Sequence, residues 1–385
     1  MPRARERRRW KIATIIGTRP EVIKCAPLVA ALKKTGRFQV FLFSSGQHRH
    51  LLNQTLEVFG IHPDHDCRVM THSQSLFDIA HRAFPRLKKL LLHFKPDLIL
   101  VQGDTSTAFI AALAGFYTQI PVGHVEAGLR TRDLSNPFPE EANRRLVSVL
   151  ASLHFAPTPS ALRNLVQEGV PQERIFVTGN TVIDALRGVL RSDQLTAPSF
   201  FSRFSSGRPL LLVTVHRREN FGAPLRRICE ALKQIAGKGR CEILLPVHEN
   251  PQVKKTVYSI LGGVPSVHLV RPLDYFQFVY ALKRCRIVLS DSGGVQEESA
   301  FLGKPILVLR EKTERPEVLE EGLGKLVGSN PSRIIREVSM LLEGSARYRR
   351  QSQSLVFGDG KASSRIAALL RSFLENSPHK LTRPG

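Results

Sequence analysis

Short β-branched runs alternate with segments of helical periodicity along almost the whole chain, and this alternation limits the fold more than any other feature. Runs such as KIATII and DLILVQ each precede a turn and then apolar residues at helical spacing. A parallel sheet covered by helices has this pattern, so the sequence predicts an α/β fold. We expect strands at residues 11–16, 39–44, 97–102, 121–125, 154–156, 210–215, 242–247, 267–270, 287–290 and 306–309.

The predicted strands fall into two groups, separated by VTGNTVIDAL and a Ser/Pro-rich stretch with several Phe residues. A chain of 385 residues is long enough for two domains, each with its own core. We therefore expect two similar α/β halves with a cleft between them. Ligands of such sheets bind beyond the carboxyl ends of the strands, so the polar residues that follow each strand are the first candidates for function.

Composition argues against several classes of protein. The net charge is +23, but zinc-finger, RNP-like and heptad signatures are missing, so we expect no nucleic-acid partner. A basic surface also suits anionic small substrates or acidic lipid headgroups. We expect no membrane insertion, because no apolar stretch reaches roughly 18 to 20 residues. We also expect no secretion signal, because the basic N-terminus runs directly into the strand-like IATII with no separate apolar region of about 7 to 15 residues. The five scattered cysteines are never spaced CxxC, which argues against zinc and favours a reducing cytoplasm.

In the first half, charged residues follow three of the predicted strands. GTRPEVIK places Arg19 and Lys24 near a helix start, where they are either diphosphate ligands or ordinary solvated cations. Asp104 follows the next strand, and Thr105 to Thr107 are expected to cap a helix. We expect Asp104 to converge with Glu126 and with Glu140, which together with Glu141 opens a helix. Crowded carboxylates can supply an acid and a base, although a lone Glu at a helix start is usually structural.

In the second half, DSGGVQEE follows the strand RIVLS and gives the strongest single signal. Backbone N–H groups at Ser292, Gly293 and Gly294 would face phosphate oxygens at a helix start. Glu298, about one turn later, can accept both ribose hydroxyls. His216 and His248 each follow a strand, but suitably spaced metal ligands do not accompany them, so no metal is expected. GxxxxGK[ST] and GxGxxG are absent, which argues against ATP, GTP or NAD chemistry.

Taken together, the motifs resemble those of the non-hydrolysing UDP-N-acetylglucosamine 2-epimerase family. The matching runs span Gly17 to Ile366 in family order: GTRPEVIKCAPLV, GQHR, VQGDTSTA, PVGHVEAGLRT, PFPEEANRRL, VTGNTVIDAL, VTVHRRENFG, LPVHENP, SDSGGVQEE, GKPILVLREKTERPE and GDGKASSRI.

This resemblance implies two Rossmann-like domains with parallel sheets facing a cleft, the GT-B arrangement. The N-terminal domain would cover residues 1–180 and be joined by a C-terminal helix at about 363–377, and the UDP-binding domain would cover residues 181–362. It also implies a homodimer with no cofactor, neither metal nor nicotinamide.

The implied reaction inverts C2 reversibly, converting UDP-GlcNAc to UDP-ManNAc for cell-surface polysaccharide synthesis. UDP would leave by anti elimination and return to a glycal by syn addition. The matching motifs assign sugar and catalytic roles to Arg19, Lys24, Asp104, Glu126 and Glu140. They assign UDP contacts to His216, Phe278, Ser292, Gly293, Gly294, Glu298 and Arg315, with His216 also placed to stabilise the leaving group.

Many bacterial members of the family bind a second UDP-GlcNAc as an activator. Gln47, Glu141, Arg217 and His248 match positions associated with that activator, whereas His50 does not. Two alternatives share the UDP half of the site: an epimerase of another UDP-sugar, such as a 2,3-diacetamido uronate, and a GT-B glycosyltransferase.

Overall fold

The computed structural model describes residues 9–46, 49–69, 75–204, 207–344 and 353–376. The chain divides into two compact units. Unit 1 comprises Met1–Arg187 and Gly358–Gly385, and unit 2 comprises Gly188–Phe357. Each unit contains one parallel sheet, of seven strands in unit 1 and six in unit 2. The predicted α/β class and the two Rossmann-like sheets are therefore confirmed.

Unit 1 alternates strands with helices. Its strands are β1 (Trp10–Ile16), β2 (Phe38–Ser44), β3 (His65–Asp66), β4 (Leu98–Gln102), β5 (Val122–Val125), β6 (Leu153–Ala156) and β7 (Ile175–Val177). Its helices are α1 (Arg19–Lys34), α2 (Arg49–Val58), α3 (Leu76–Phe94), α4 (Ser106–Tyr117), α5 (Glu140–Leu150), α6 (Pro159–Gln167) and α7 (Thr181–Leu190), the last of which ends in unit 2.

Unit 2 repeats the pattern. Its strands are β8 (Leu210–Thr214), β9 (Glu242–Pro246), β10 (Val267–Val270), β11 (Ile287–Ser290), β12 (Ile306–Val308) and β13 (Gly324–Leu326). Its helices are α8 (Ala223–Gly237), α9 (Pro251–Leu261), α10 (Tyr275–Arg284), α11 (Gly293–Phe301), α12 (Glu317–Glu320) and α13 (Pro331–Leu342). A final helix, α14 (Ala362–Asn376), packs on α1 in unit 1.

Alternation along β1 shows why unit 1 has helices on both faces of its sheet. Successive side chains of a strand point to opposite faces. Ile12 and Ile16 join one core with α1, α2 and α14, whereas Ala13 and Ile15 join another with α3 and α4. All four side chains are completely buried. A strand that is apolar on both faces belongs at the centre of a covered parallel sheet.

The ten predicted strands all occur, with ends that differ by at most one residue. Three others were not predicted: β3, β7 and β13, of two or three residues each. They lie at the sheet edges, where a few backbone hydrogen bonds suffice and no long apolar run is needed.

The strand order locates the ligand-binding edge of each sheet. The orders are β3-β2-β1-β4-β5-β6-β7 in unit 1 and β10-β9-β8-β11-β12-β13 in unit 2. Chain order therefore reverses between β1 and β4 and again between β8 and β11. Open α/β sheets bind ligands outside the carboxyl ends of the strands at such a reversal. We call these two places the first and second switch points.

Three features of the described residues bear on which other functions are possible. No helix in the described part of the chain is long and apolar enough to cross a bilayer. All five cysteines lie within the described residues, and each is a buried free thiol. The residues described include no group of three or more His, Cys, Asp or Glu side chains arranged to hold a metal ion.

Candidate active site

The first switch point begins with a turn that only glycine fits. A Cβ at Gly17 would lie 2.4 Å from Thr107 Oγ1 and 2.5 Å from Ser45 Oγ. The chain can therefore pass close to the start of α4 and to the residue after β2, and enter α1 at once. Arg19 is the first residue of α1, where it was predicted to be. Lys24 follows in the second turn of α1 and is buried.

Glu126 follows β5 with a backbone conformation that is unusual for its residue type. Its φ is +67°, a left-handed conformation that non-glycine residues rarely adopt, and its side chain is buried. The carboxylate contacts Lys24 Nζ and Gln102 Nε2. Strained backbone at a buried, charge-paired residue is a common property of functional sites. The structure thus brings together two predicted residues, Lys24 and Glu126, as a buried ion pair.

Asp104 follows β4, next to the strand that precedes Glu126, and helix α5 holds it. Arg144 forms an ion pair with the Asp104 carboxylate, and Asn143 Nδ2 donates to the Asp104 carbonyl over 2.9 Å. Glu140, the first residue of α5, lies one turn before these two donors. The predicted N-cap is also present, because Thr105 Oγ1 accepts the Ala108 N–H at 3.0 Å. Asp104 and Glu126 therefore each lie against a cation of unit 1.

Sequence reasoning missed three residues that organise the first switch point: Glu21, Gln102 and Arg144. Glu21 is buried, and desolvation by burial raises the pKa of its carboxyl to about 7, against hydrogen bonds from Thr18, Thr105 and Gly17. A signal was available, because Thr18 and Glu21 have the spacing of a capping box. That spacing identifies a helix start and says nothing of burial.

The second switch point depends on Asp291, the first residue of DSGGVQEE. Its fully buried carboxylate accepts the N–H of His216 at 3.0 Å, the N–H of Arg217 at 2.9 Å and the Asn220 amide at 2.9 Å. His216 Nδ1 lies 3.3 Å from the same carboxylate, while 44% of the His216 side chain is exposed. Asp291 therefore fixes the loop after β8 and orients the predicted His216.

The SGG residues begin α11, as predicted. Ser292 is the N-cap, but its own N–H already donates to Ser290 Oγ at 3.0 Å. Within the described residues, the N–H groups of Gly293 and Gly294 have no bonded acceptor. These two amides, at the positive end of a helix dipole, are the ones that suit an anion.

Arg315 lies against the start of α11. A Cβ at Gly293 would lie 2.2 Å from Arg315 Nη1, so the glycine is required for this contact. Arg315 donates to Glu297 and Glu314, each at 2.5 Å. Arg310 shares Glu314 at 2.6 Å, and Arg217 Nη2 lies 3.4 Å from it. These charged side chains form one connected set, buried except at Arg217 and Glu219, which we call the arginine mesh: Arg217, Glu219, Glu297, Arg310, Glu314 and Arg315.

Neighbouring carboxylates in the arginine mesh stabilise the positive charge of Arg310. Burial alone would lower the pKa of Arg310, but the neighbouring carboxylates of Glu314 and Glu219 outweigh it and raise that pKa. Arg310 therefore stays charged. Only Arg217 and Arg315 were singled out from the sequence, because the shared carboxylates come from separate segments.

Glu298 and Phe278 lie near each other in sequence-distant helices of unit 2. The buried Glu298 carboxylate accepts the Tyr275 hydroxyl at 2.7 Å, which fixes one oxygen. Tyr275 begins α10, and Phe278 follows it by one turn with its side chain partly buried. This arrangement suits the predicted ribose and uracil contacts.

The four activator positions have different surroundings. Glu141 is completely buried and accepts the N–H groups of Thr131 and Arg132 at 3.0 and 3.1 Å. The His248 ring stacks 6.4 Å from the His216 ring, and Arg217 belongs to the arginine mesh. Gln47 lies outside the described residues.

Comparison with known proteins gives a consistent picture. The family model described as UDP-N-acetylglucosamine 2-epimerase matches residues 30–371. A Salmonella typhimurium UDP-N-acetylglucosamine 2-epimerase is 47% identical over 94% of this chain and 99% of its own. The Neisseria meningitidis UDP-GlcNAc 2-epimerase, solved bound to UDP-GlcNAc, is 42% identical with a TM-score of 0.89, covering 94% of this chain and all of that one (100%).

A putative UDP-N-acetylglucosamine 2-epimerase from Listeria monocytogenes is also similar in structure, with a TM-score of 0.92 and 42% identity over 98% of this chain and 99% of that one. The family match, the near-complete coverage and the geometry of both switch points agree: this chain belongs to the UDP-N-acetylglucosamine 2-epimerase family.

Proposed function

We propose that this chain interconverts UDP-GlcNAc and UDP-ManNAc by inverting C2. The observation that carries the proposal is the pair of carboxylates at the first switch point, Asp104 and Glu126, each in contact with its own cation. General acid–base exchange at one carbon needs two positioned groups that can take up and release a proton. Lys24 and Arg144 fix the positions of the two carboxylates.

The C2 proton of the sugar is weakly acidic because no carbonyl is attached to C2. Stabilising the departing diphosphate must therefore supply much of the lowering of the barrier. In unit 2, the Gly293 and Gly294 amides and the half-exposed His216 ring offer donors to an anion. We assign UDP departure and return to these groups, with Arg19 and Arg315 as additional cations. Asp104, Glu126 and Glu140 then remove and return the C2 proton around a glycal.

Deuterium exchange tests this function directly. Purified protein with UDP-GlcNAc in deuterated water should produce UDP-ManNAc and deuterium at C2 of both sugars, as followed by NMR. Absence of both, whatever concentration of UDP-GlcNAc is present, would rule the proposal out. A glycosyltransferase would instead release UDP without C2 exchange. Faster exchange with a UDP-2,3-diacetamido uronate would identify that sugar as the substrate.

We also propose a homodimer formed through an apolar face on helices α3, α4 and α5. Helix α4 packs against both of the others. Phe116 and Tyr117 at the end of α4 are 59% and 66% exposed, and Val149 on α5 is 82% exposed. Large clustered apolar side chains on a surface usually mark an interface.

Five free thiols support a reducing compartment, and we place the enzyme in the cytoplasm.

The dimer is tested by sedimentation. Val149→Glu should convert a dimer into a monomer, because it puts a charge into the apolar face. Val166→Glu is the matched control, since Val166 is 42% exposed on α6, outside that face. A monomeric wild-type protein at micromolar concentration, or a dimer that survives Val149→Glu, contradicts the assignment.

Activation by a second UDP-GlcNAc is proposed for the same enzyme. It is supported by Arg217 and His248, which adjoin the predicted UDP contacts Arg315 and His216 in unit 2. UDP-ManNAc alone should then react slowly until a trace of UDP-GlcNAc is added. Immediate full-rate conversion of UDP-ManNAc would contradict activation.

A further inference from the structure

Glu21 lies beneath the turn that leads into α1, and its carboxylate binds that turn. Oε2 accepts the Gly17 N–H at 3.0 Å, the Thr18 N–H at 2.7 Å and the Thr18 hydroxyl at 2.7 Å. The side chain is 1% exposed. One oxygen atom therefore fixes the backbone of the loop after β1, immediately before Arg19.

The second oxygen of Glu21 reaches the loop after β4. Oε1 accepts the Thr105 hydroxyl at 2.8 Å, while Thr105 Oγ1 accepts the Ala108 N–H at 3.0 Å. The hydroxyl proton of Thr105 is thereby committed to Glu21, and its lone pair to the first turn of α4. Thr105 directly follows Asp104, so this bond holds the chain on one side of the proposed catalytic carboxylate.

Helix α5 holds Asp104 from the other side, through Asn143 and Arg144. The two supports differ in kind. Asn143 and Arg144 contact Asp104 itself, whereas Glu21 acts through Thr105 and ties Asp104 to the loop that carries Arg19. Removal of the Glu21 support would leave the ion pair with Arg144 in place and release the backbone next to it.

A carboxylate is chemically suited to this role, because all four of its hydrogen bonds come from donors and it is an acceptor only when ionised. Its burial is unfavourable, and desolvation raises the pKa of Glu21 to about 7. An ordinary capping acid avoids that cost. Asp78 at the start of α3 accepts the N–H and the hydroxyl of Ser75 at 2.8 and 2.7 Å in solvent-exposed contacts. Helix capping alone does not account for a fully buried acid.

We propose that Glu21 is a positioning residue, which locks the loop after β1 to the loop after β4 and so holds Asp104 in its reactive geometry. The inference rests on the proposed role of Asp104 in proton exchange at C2. Displacement of a reacting group by about 1 Å can lower a rate by about a hundredfold. The lock therefore acts on turnover more than on substrate affinity.

The first experiment replaces the buried acid. In Glu21→Gln the amide oxygen can keep the bonds to Gly17 and Thr18, but the NH2 group faces Thr105 and reverses that hydrogen bond. We expect kcat to fall about tenfold to a hundredfold with KM within about threefold. Asp78→Asn changes the equivalent position of the α3 cap and should leave both constants unchanged.

The second experiment removes the other partner. Thr105→Val deletes the hydroxyl, and Thr105→Ser keeps it, so turnover should fall in the first variant and largely survive in the second. Thr158→Val is the control for lost capping, because Thr158 caps α6 through the Ala161 N–H at 3.1 Å. In Glu21→Gln/Thr105→Val the two losses should be less than additive, because the partners share one bond.

Asp104→Asn separates this inference from the function on which it rests. If Asp104→Asn abolishes C2 exchange while Glu21→Gln and Thr105→Val keep the wild-type kcat, the positioning role is wrong and the proposed function stands. If wild type itself shows no C2 exchange, the proposed function fails. If Asp104→Asn keeps full activity, the function stands, but the role of Asp104 and the positioning role of Glu21 both fail. A loss of kcat equal in Thr105→Val and Thr158→Val would also overturn the lock, since it would reflect capping alone.

Discussion

At each switch point one buried carboxylate holds together the loops that follow two neighbouring strands, but the carboxylate comes from a different segment in each unit. In each unit a buried acid binds the backbone N–H groups of the loop after the first central strand. In unit 1 that acid is Glu21, from the helix after β1, and it reaches across to Thr105 beyond β4. In unit 2 it is Asp291, from the end of β11, and it reaches back to His216 beyond β8. Both clamp the two strands between which a ligand binds.

The neighbouring charges differ, and the difference fits two chemical tasks. At the first switch point two acids contact separate cations, Glu126 with Lys24 and Asp104 with Arg144, which also contacts Glu141. At the second, three arginines share three glutamates in the arginine mesh. Separately held acids can exchange protons with a substrate one at a time, whereas a mesh holds a fixed charge distribution. Unit 1 is therefore suited to proton transfer and unit 2 to binding a constant anion.

The largest expected effect comes from breaking a pair in unit 1. Glu126→Gln removes the charge opposite Lys24, and we expect kcat to fall about a thousandfold, within the usual range for a general acid or base. UDP affinity, measured by calorimetry, should change less than about twofold because UDP contacts are assigned to unit 2. Glu168→Gln is the matched control, since Glu168 pairs with Arg130 away from the switch point. Equal losses in kcat and UDP affinity would make Glu126 a binding residue only.

The sequence predicted the strands and helix starts around both switch points, but not all of the residues that hold them. Central strands were predictable because they are apolar on both faces, and the helix starts at Thr105, Glu140 and Gly293 because capping chemistry is local. Arg144 was not, since its bond to Asp104 joins residues 40 apart in the chain. Glu21 was visible only as a cap, because burial depends on which segments pack above it.

The next largest effect concerns the buried Glu21, which is the clamp of unit 1, and the dependence of its stabilising contribution on pH. By analogy, Asp291 is the clamp of unit 2. Burial raises the Glu21 pKa from 4.5 to about 7, so the folded chain holds this proton more tightly than the unfolded chain. Stability contributed by Glu21 should therefore fall as pH rises from 4.5 to about 7, then level off. We expect the difference in free energy of unfolding between wild type and Glu21→Gln, measured in urea, to fall by up to about 3 kcal/mol across that pH range.

Asp78→Asn provides the opposite sign for this measurement. Hydrogen bonds from Ser75 lower the Asp78 pKa, so the wild type should gain stability relative to this variant as pH rises through the acid range. A pH-independent difference between wild type and Glu21→Gln would show that folding does not shift the Glu21 pKa. A difference that keeps falling above pH 7 would show that Glu21 stays protonated in the folded protein, and would remove the likeness to Asp291.

A smaller effect is expected from the clamp of unit 2. In Asp291→Asn an amide oxygen at the Oδ2 position can still accept from His216, Arg217 and Asn220, but the new NH2 group at the Oδ1 position opposes the second contact of the His216 N–H. Loss of hydrogen bonds to a buried charged group should destabilise the protein by about 2 kcal/mol. Calorimetry should show weaker UDP binding, and C2 exchange should slow as well, because His216 loses the orientation in which it is proposed to stabilise departing UDP. A selective loss of exchange would make the two clamps equivalent.

The smallest effect tests whether the arginine mesh is rigid, through the two adjacent glycines of α11. A Cβ at Gly293 would lie 2.2 Å from Arg315 Nη1, whereas a Cβ at Gly294 meets nothing within 4 Å. Gly293→Ala should therefore cost about 1 to 2 kcal/mol through overpacking. Gly294→Ala should instead stabilise the helix by about 0.5 to 1 kcal/mol, because alanine has the higher helix propensity. If thermal unfolding gave both variants the same shift, Arg315 would be free to move aside, and the fixed charge distribution ascribed to unit 2 would not hold.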